Sequence, residues 1–275
     1  MRSASWTMIG KIPIEPDKES RRPAIVVTGA SSGIGRAIAR VAARDGLAMV
    51  LVAKDELENI ETELRNRGSE VVVVSVDLLC RTATEAVAEA LARNGLYCDV
   101  LVNSAGFGVF GPAADVESQL QLELIDVNVR AVVALSLAFL PAMIARGRGG
   151  ILNVGSITGY FTGPNMAVYF ASKAFIRSFS AALAAEARPA GVTVTCLAPG
   201  PVRTAFFERC SVGDAPLMKI IPRTDAETVA KVAWRGFRSG KSVVVPRFAD
   251  RLFLFVARAL PSRLLTRFVA AMMRK

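Results

Sequence analysis

Two patterns of apolar residues alternate along the chain. Short continuous runs of apolar, mostly β-branched residues are typical of buried strands, whereas apolar residues three and four positions apart are typical of helices. The runs predict strands at 24–28, 47–53, 71–76, 100–103, 151–154, 192–198 and 242–245. The helical spacing predicts helices at 34–45, 55–67, 82–94, 116–145, 168–188 and 226–239.

Strands that are apolar on both faces and alternate with helices are typical of a parallel sheet between two helix layers. The pattern therefore predicts an α/β fold, and a length of 275 residues is compatible with one large domain. We place this domain at residues 23–248. Residues 1–22, which contain Pro13 and Pro16, are predicted to form an N-terminal extension, and residues 249–275 a C-terminal extension.

The composition narrows the possible chemistry. With 52 % apolar and 21 % charged residues the chain is not a disordered one. It contains no histidine, which excludes Ser-His-Asp and Cys-His nucleophile systems and removes the commonest zinc ligand. Acid–base chemistry near neutral pH must therefore come from tyrosine, lysine, cysteine or a carboxylate, and we expect no metal site.

Cysteine usage and hydrophobic segments predict a cytoplasmic protein. The four cysteines lie far apart without a CxxC pair, which favours reduced structural thiols. The N-terminus lacks an apolar segment of secretory type. The longest uncharged run, residues 131–145, is interrupted by Pro141 and is shorter than the roughly 18 residues that cross a bilayer, so we interpret it as a buried helix.

The first predicted strand leads into a glycine-rich turn and then a helix. The turn is Thr28-Gly29-Ala30-Ser31-Ser32-Gly33-Ile34-Gly35. Glycines permit a tight turn and close backbone approach, and a helix N-terminus offers N–H groups to a pyrophosphate. The spacing is TGxxxGxG and not GxGxxG, so on this segment alone an ordinary strand-to-helix loop is the alternative.

Separated motifs resemble the short-chain dehydrogenase/reductase family in order and spacing, over about residues 22–245. The motifs are TGASSGIG, Asn103-Ser104-Ala105-Gly106, Asn128, Ser156, Tyr169-x-x-x-Lys173 and Pro199-Gly200. The resemblance implies a Rossmann fold, a doubly wound parallel sheet of seven strands in a single domain, with one cleft for cofactor and substrate. Ser104 departs from the family, which more often has a second asparagine there. The C-terminal extension, together with the stretch Ala105-Gly106-Phe107-Gly108-x-Phe110-Gly111-Pro112, is similar to a largely uncharacterised bacterial branch of the family.

The same resemblance implies that Asn128, Ser156, Tyr169 and Lys173 are catalytic. Tyr169 and Lys173 are four residues apart and share one helix face, where the ammonium and a cationic nicotinamide would lower the tyrosine pKa from about 10. Ser156 would hydrogen-bond the carbonyl oxygen. Asn128 is similar to the family residue that holds a water against the lysine. Taken singly, Tyr169 and Lys173 are a common helical pair and Ser156 a common cap.

The resemblance also assigns cofactor contacts, among them the adenine-contacting pair Asp77 and Leu78 and the carboxamide contact Thr204. The full set is Gly29, Ser31, Ser32, Gly33, Ile34, Gly35, Lys54, Asp77, Leu78, Asn103, Ala105, Gly106, Tyr169, Lys173, Pro199, Gly200, Val202 and Thr204.

The residues after the second strand favour NADP(H) over NAD(H). A carboxylate at the end of that strand would accept hydrogen bonds from the ribose 2′-OH of NAD, but the chain has Ala53 there. Lys54 follows and suits the 2′-phosphate of NADP. Asp55 and Glu56 come next and are expected to face solvent. NAD(H) stays possible, because Lys54 is also typical of a solvated surface.

Aromatic and methionine residues near the expected cleft suit a lipophilic carbonyl substrate, although they are equally typical of a core. They are Phe107, Phe110, Phe161, Met166, Phe206, Phe207 and Met218. The stretch 205–223 is expected to form a lid over the substrate.

The C-terminal extension is basic and amphipathic. The net charge of the chain is +10, and the last 29 residues hold seven basic residues against one acid, Asp250. Residues 250–275 form two amphipathic segments separated by Pro261. Such segments fold over the cleft, pack on a second subunit or lie on an anionic membrane. We favour packing over peripheral membrane contact and expect no binding to nucleic acid.

We therefore predict an enzyme, an NADP(H)-dependent oxidoreductase that interconverts a small-molecule carbonyl compound and its secondary alcohol. Family members pair through the helix at 116–145, so a homodimer or homotetramer is expected. The alternatives are an NAD-linked alcohol dehydrogenase and a non-catalytic dinucleotide sensor or scaffold. A sensor would not need all four residues of the catalytic set.

Overall fold

The computed structural model describes residues 21–210 and 222–273. The strands are β1 (Arg22–Thr28), β2 (Ala48–Ala53), β3 (Val71–Ser75), β4 (Leu96–Asn103), β5 (Gly150–Val154), β6 (Thr193–Leu197), β7 (Val202–Arg203), β8 (Thr224–Asp225) and β9 (Val243–Val244). The helices are α1 (Gly33–Ala42), α2 (Glu58–Asn66), α3 (Ala83–Arg93), α4 (Ser118–Ile125), α5 (Ala131–Arg146), α6 (Ala167–Ala187), α7 (Phe206–Arg209), α8 (Ala226–Arg238), α9 (Phe248–Ala259) and α10 (Ser262–Met272). Residues 1–20 of the predicted extension and residues 211–221 of the predicted lid, with Met218, lie outside the described residues.

Seven of these strands form one parallel sheet in the order β3-β2-β1-β4-β5-β6-β9. The chain runs outward from β1 to β3, returns to β4 beside β1, and then runs outward in the other direction. In such a doubly wound sheet the ligand crevice opens where the order reverses, at the carboxyl ends of β1 and β4. The predicted Rossmann fold is confirmed.

Alternate residues of the central strands enter two separate cores. On β1, Ile25 and Val27 pack with α1, α2 and α8, whereas Ala24 and Val26 pack with α3, α5 and α6. All four side chains are fully buried. The central strands therefore form continuous apolar runs in the sequence, because both of their faces are buried.

The strands of the main sheet and the helices beside them begin and end close to the predicted positions, with one clear difference at β4, whereas the short elements β7, α7 and β8 were not predicted. The sequence pattern started this strand at residue 100, but it begins at Leu96 because Asp99 interrupts the apolar run without ending the strand. The register moves from Ala24 opposite Cys98 to Ile25 opposite Val100, which leaves Asp99 as the extra residue of a bulge.

Helices α4 and α5 are joined by a π-helical turn, Asp126–Arg130, into one helix of 29 residues. By length and composition alone this helix could cross a membrane, with a mean hydropathy of 1.9 over its most apolar window, of which 44 % is buried. Leu135, Phe139 and Met143 are buried against the sheet, as expected of a core helix. The helix therefore packs as part of one helix layer.

The C-terminal extension forms two helices, α9 and α10, on either side of Pro261, as the two amphipathic segments predict. Leu254, Ala257, Leu265 and Val269 are buried. Ala257, Leu265 and Val269 join a cluster with Tyr169 of α6. Of the three arrangements considered for the extension, the structure shows it folded over the cleft.

Two buried amides connect the sheet with the second helix layer. The Asn103 amide donates to Asn153 Oδ1 at 2.8 Å and to Ser136 Oγ at 3.2 Å, and the Asn153 amide donates to Ser180 Oγ at 2.9 Å. All four side chains are buried. A buried polar group stays favourable only while it keeps its partners, so this network ties β4 and β5 to α5 and α6.

Substitution Asn153→Ala is expected to lower the free energy of unfolding by about 2–3 kcal/mol, because it removes two buried hydrogen bonds, those with Asn103 and Ser180. Urea denaturation of the purified chain measures this change. The control is Asn66→Ala, at an exposed position of α2, where a change within about 0.5 kcal/mol is expected. Equal losses in the two variants would contradict the role of the network.

Candidate active site

The loops at the carboxyl ends of the strands surround a large cleft of about 1360 Å³. One end is bordered by the β1–α1 turn and the loops after β2 and β3, and the other by α6, α7 and the C-terminal helices. The cleft is thus long enough to hold a dinucleotide beside a second ligand.

Glycines at the β1–α1 turn bring two backbone segments into contact. Gly29 has φ +65°, and a Cβ atom on it would lie 2.8 Å from the Ala105 Cα. A Cβ atom on Gly35 would collide with the Gly29 carbonyl. The turn opens directly into the N-terminus of α1, where the Ser32 side chain, within the described chain, makes no capping hydrogen bond. This glycine-lined helix N-terminus fits a pyrophosphate.

The Thr28 hydroxyl holds the loop after β4 against this turn. Its Oγ1 atom accepts hydrogen bonds from the backbone N–H groups of Ser104, at 3.0 Å, and Ala105, at 3.2 Å. The hydroxyl is buried at the point where the strand order reverses. The motif contained Thr28, but the sequence assigned it no role, because its partners lie more than seventy residues further along the chain.

The predicted cofactor residues border the cleft with one exception, Asn103. Those that line it are Gly29, Ser31, Ser32, Gly33, Ile34, Gly35, Lys54, Asp77, Leu78, Ala105, Gly106, Tyr169, Lys173, Pro199, Gly200, Val202 and Thr204. The Asn103 side chain does not belong to the wall of the cleft but to the buried amide network. The family resemblance assigned it to the cofactor, but a motif at the end of β4 does not reveal the face to which a side chain points.

Lys54 lies at the end of the cleft formed by the loops after β2 and β3. Its ammonium is 3.8 Å from the Asp77 carboxylate, and 63 % of its side chain is exposed. Asp77 also accepts a hydrogen bond from the Leu79 backbone N–H at 3.0 Å. Asp55 and Glu56 are exposed, as expected, yet they border the cleft as well. The Lys54 ammonium therefore lies beside a carboxylate that partly balances its charge. The family resemblance had implied only an adenine contact for this carboxylate.

Ser156, Tyr169 and Lys173 come together at the other end of the cleft. Ser156 follows β5 and caps a short 3₁₀ turn, accepting a hydrogen bond from the Thr158 backbone N–H at 3.1 Å. The turn lies directly on α6, since a Cβ atom on Gly159 would be 2.5 Å from the Lys173 carbonyl oxygen. Ser156 is thus both a cap and a cleft residue.

Burial controls the protonation of Tyr169. It raises the pKa of the Tyr169 phenol, and the nearby Cys210 acts in the same direction, while the hydroxyls of Ser156 and Thr158 partly oppose the rise. This is opposite to the direction expected from Lys173 alone, whose ammonium lies 5.8 Å from the ring centroid. The phenol is therefore held in its protonated form.

Burial acts on Lys173 as well. The Lys173 ammonium donates to the Val154 carbonyl at 3.0 Å. Burial lowers the pKa of Lys173 to about 8, and Cys196 opposes this. The ammonium is consequently close to its titration point near neutral pH.

Asn128 is buried in the π-helical turn and does not line the cleft. Its Oδ1 atom accepts from the Phe107 backbone N–H at 3.0 Å, and its amide donates to the Phe107 carbonyl at 2.9 Å. A Cβ atom on Gly106 would lie 2.8 Å from Asn128 Oδ1 and 3.8 Å from the Lys173 ammonium. The side chain thus positions the Gly106–Phe107 backbone beside Lys173.

The remaining wall of the cleft is apolar and includes residues that the sequence did not assign to it. Phe107, Phe161, Met166, Phe206 and Phe207 line it as predicted, whereas Phe110 packs beside this wall. The C-terminal helices add Phe253, Phe268, Val269 and Met273. The amphipathic spacing of these helices is visible in the sequence, but the surface on which they pack is decided by the tertiary fold.

Asp250 is the acidic residue of the C-terminal extension and reaches the cleft from α9. It is 7 % exposed, and its Oδ2 atom has no hydrogen-bond partner within the described residues. A Cβ atom on Gly200 would lie 2.5 Å from that oxygen. Burial raises the pKa of Asp250, while the Arg247 guanidinium and the Gly200 N–H lower it. The sequence did not predict a carboxylate at this point.

A glycine turn at the reversal point of a doubly wound sheet, together with serine, tyrosine and lysine in the same cleft, defines a dinucleotide-dependent oxidoreductase. Comparison with known proteins agrees. The profile of the short chain dehydrogenase family matches residues 23–213. Dehydrogenase/reductase SDR family member 7B of Danio rerio is 35 % identical over 211 residues, which are 74 % of this chain and 68 % of that protein. The chain belongs to the short-chain dehydrogenase family and is an oxidoreductase.

Solved structures of similar proteins contain nicotinamide dinucleotides. A short-chain dehydrogenase from Sphingobium yanoikuyae in complex with NADPH has a TM-score of 0.76 and 29 % identity, covering 86 % of this chain and 93 % of its own. A short chain dehydrogenase/reductase from Burkholderia phymatum in complex with NAD has a TM-score of 0.79 and 25 % identity, covering 91 % and 97 %. These likenesses support a nicotinamide dinucleotide cofactor, which the glycine-lined turn fits.

Substitution Asp250→Asn is expected to raise the melting temperature at neutral pH by a few degrees. The pKa of this carboxyl is higher in the folded than in the unfolded chain, so its ionisation costs stability as the pH rises above about 4. The gain should therefore shrink as the pH falls towards 4, as measured by thermal denaturation at several pH values. Asp115→Asn, at an exposed loop position, is the control, and a gain independent of pH would contradict this account.

Proposed function

We propose that the protein is an NADP(H)-dependent oxidoreductase that interconverts a lipophilic carbonyl compound and its secondary alcohol. The observation that carries this proposal is the placement of Ser156, Tyr169 and Lys173 in one cleft, between a glycine-lined helix N-terminus and an apolar wall. The three side chains suit chemistry at a carbonyl oxygen. The helix N-terminus suits a dinucleotide, and the apolar wall suits a substrate with little polarity.

A bound nicotinamide supplies the hydride for reduction and takes it up in oxidation. Because Ser156 Oγ already accepts a hydrogen bond from the Thr158 N–H, its own proton is available to donate to the substrate carbonyl oxygen. Tyr169 donates a proton to the same oxygen as negative charge develops on it. Both residues act on one atom, so the substrate carbonyl must lie between them.

The protonation of the two buried groups favours reduction at neutral pH. The raised pKa of Tyr169 keeps a proton on the phenol that is to be donated. The ammonium of Lys173, with a pKa of about 8, stabilises the phenolate that is left behind. Asn128 supports both by fixing the backbone next to Lys173, and we propose that it also helps to hold the water that returns the proton.

The preference for NADP(H) rests on Lys54. No carboxylate stands at the end of β2, where Ala53 is found, and Lys54 projects its ammonium at the adjoining rim of the cleft. Its partner Asp77 lies 3.8 Å away, longer than a hydrogen bond, so the ammonium keeps donors for a 2′-phosphate.

Members of this family commonly oligomerise. We propose a cytoplasmic homodimer or homotetramer that pairs through the long helix and α6, where apolar side chains face outward. Leu122, Leu137, Ile144 and Phe175 are between 41 % and 57 % exposed there.

Substitution Tyr169→Phe is expected to lower the turnover of NADPH with lipophilic aromatic ketones by about 10²- to 10⁴-fold, because the general acid is removed. NADPH binding, followed by fluorescence titration, should change less than about twofold, since the ring is retained. Tyr160→Phe is the matched control, because Tyr160 belongs to the neighbouring 3₁₀ turn but does not line the cleft. Turnover near the wild-type rate in the Tyr169 variant would refute the proton-donor role. Tight NADPH binding without turnover of any ketone in the wild-type protein would instead indicate a sensor.

Substitution Lys54→Ala is expected to weaken NADPH binding roughly tenfold while changing NADH binding little, because only NADPH carries the 2′-phosphate with which the ammonium forms a charge-assisted hydrogen bond. Fluorescence titration of both cofactors measures the two dissociation constants. Lys231→Ala, at an exposed lysine of α8 outside the cleft, should leave both unchanged. An equal effect of Lys54→Ala on the two cofactors would exclude the phosphate contact.

A further inference from the structure

The C-terminal helices expose a set of large apolar side chains to solvent. We call this set the outer tail face. Its members are Phe248, Leu252, Phe255, Val256, Leu260, Leu264 and Phe268, which are between 44 % and 76 % exposed. Most of them lie on α9 and α10, and both helices bury their opposite sides in the same cluster beside the cleft. The outer tail face is therefore not required for packing the extension onto the domain.

The spacing on α9 shows that this exposure is regular. Phe248, Leu252 and Phe255 follow one another at intervals of four and three residues and share one side of the helix. Leu254 and Ala257, which are buried, lie on the other side. An amphipathic helix that packs on a domain needs only one apolar side. Soluble proteins seldom expose contiguous apolar patches of this kind, and those that occur mark interaction sites.

The charges around the outer tail face point to an anionic partner. Arg251, Arg263 and Arg267 are exposed on the same two helices. From residue 246 onward the sequence contains one acidic side chain, Asp250, and it is buried on the inner side of α9. A two-fold contact between two copies of this face would bring arginines together without carboxylates to pair them. Anionic lipid headgroups, by contrast, complement both the arginines and the apolar side chains between them.

The outer tail face is continuous with the mouth of the cleft. Phe268 lines the cleft and is also 54 % exposed. We propose that the outer tail face docks on an anionic lipid bilayer as a peripheral contact, inserting its apolar side chains at the headgroup level and placing the mouth of the cleft at the membrane surface. In that position a lipophilic molecule passes between bilayer and cleft without crossing water.

The proposal is tested by flotation of the full-length protein with vesicles, without cofactor or substrate. Vesicles of phosphatidylcholine alone are compared with vesicles containing about 30 % phosphatidylglycerol. The protein is expected to float with the anionic vesicles at low salt and to bind the neutral ones at least tenfold more weakly, because each arginine near an anionic surface contributes a factor of about five to partitioning.

Two double variants separate the apolar from the ionic contribution. Phe255→Gln with Leu264→Gln should reduce partitioning at least about tenfold, since two inserted side chains are lost. Arg263→Gln with Arg267→Gln should reduce it roughly 25-fold on anionic vesicles only. All four side chains are exposed, so the fold is expected to persist, which circular dichroism checks.

Matched controls lie elsewhere on the surface. Val73→Gln removes an exposed apolar side chain from the edge strand β3, and Arg44→Gln with Arg188→Gln removes the same charge from exposed positions outside the extension. Neither should change flotation.

The proposal fails if the wild-type protein does not float with anionic vesicles, or if the controls lose as much binding as the tail variants. It also fails if the wild-type protein does not bind vesicles and is an oligomer that the apolar double variant dissociates in sedimentation analysis. The outer tail face would then be a contact between subunits. Turnover of a water-soluble ketone is a separate readout, so a failure here leaves the proposed reaction untouched.

Discussion

The contact between the β1–α1 turn and the loop after β4 is the constraint on which the site depends. Gly29 and Gly35 leave no room for side chains there, and the Thr28 hydroxyl fastens the backbone of Ser104 and Ala105 across the same gap. Because the strand order reverses at this point, the contact holds two halves of the sheet together where the crevice opens. The cofactor end of the cleft and the backbone beside Lys173 are thus parts of one rigid arrangement.

Burial tunes the acid–base pair at the other end of the cleft. In the reaction proposed for this protein, which has no histidine, a tyrosine and a lysine carry the acid–base chemistry near neutral pH. Their environment acts on them in opposite directions, raising the pKa of Tyr169 and lowering that of Lys173 to about 8. The proton therefore resides on the phenol, and the ammonium beside it is easily titrated. Burial is the main cause of both shifts.

The C-terminal extension contributes to the site in two ways. Its inner side closes the apolar part of the cleft and brings in Asp250, a buried carboxylate whose Oδ2 atom has no hydrogen-bond partner in the part of the chain that the structure describes. Its outer side exposes further apolar side chains to solvent, together with arginines. Helices α9 and α10 thus have one apolar side in the wall of the cleft and another on the surface. The second side is the one that we propose contacts the lipid bilayer.

The strand and helix order and the position of the glycine turn follow from local patterns, because strand runs, helical spacing and turn glycines act over a few residues. The motif spacing also identified the cleft residues Ser156, Tyr169 and Lys173. Side-chain directions and long-range partners were not accessible in this way. Asn103 points into a buried network and Asn128 into a loop, and the motif could not distinguish these faces from the cleft. The Lys54–Asp77 pair, the burial that raises the pKa of Tyr169, and the entry of Asp250 into the cleft all depend on segments distant in sequence that meet only when the sheet and its extension are packed.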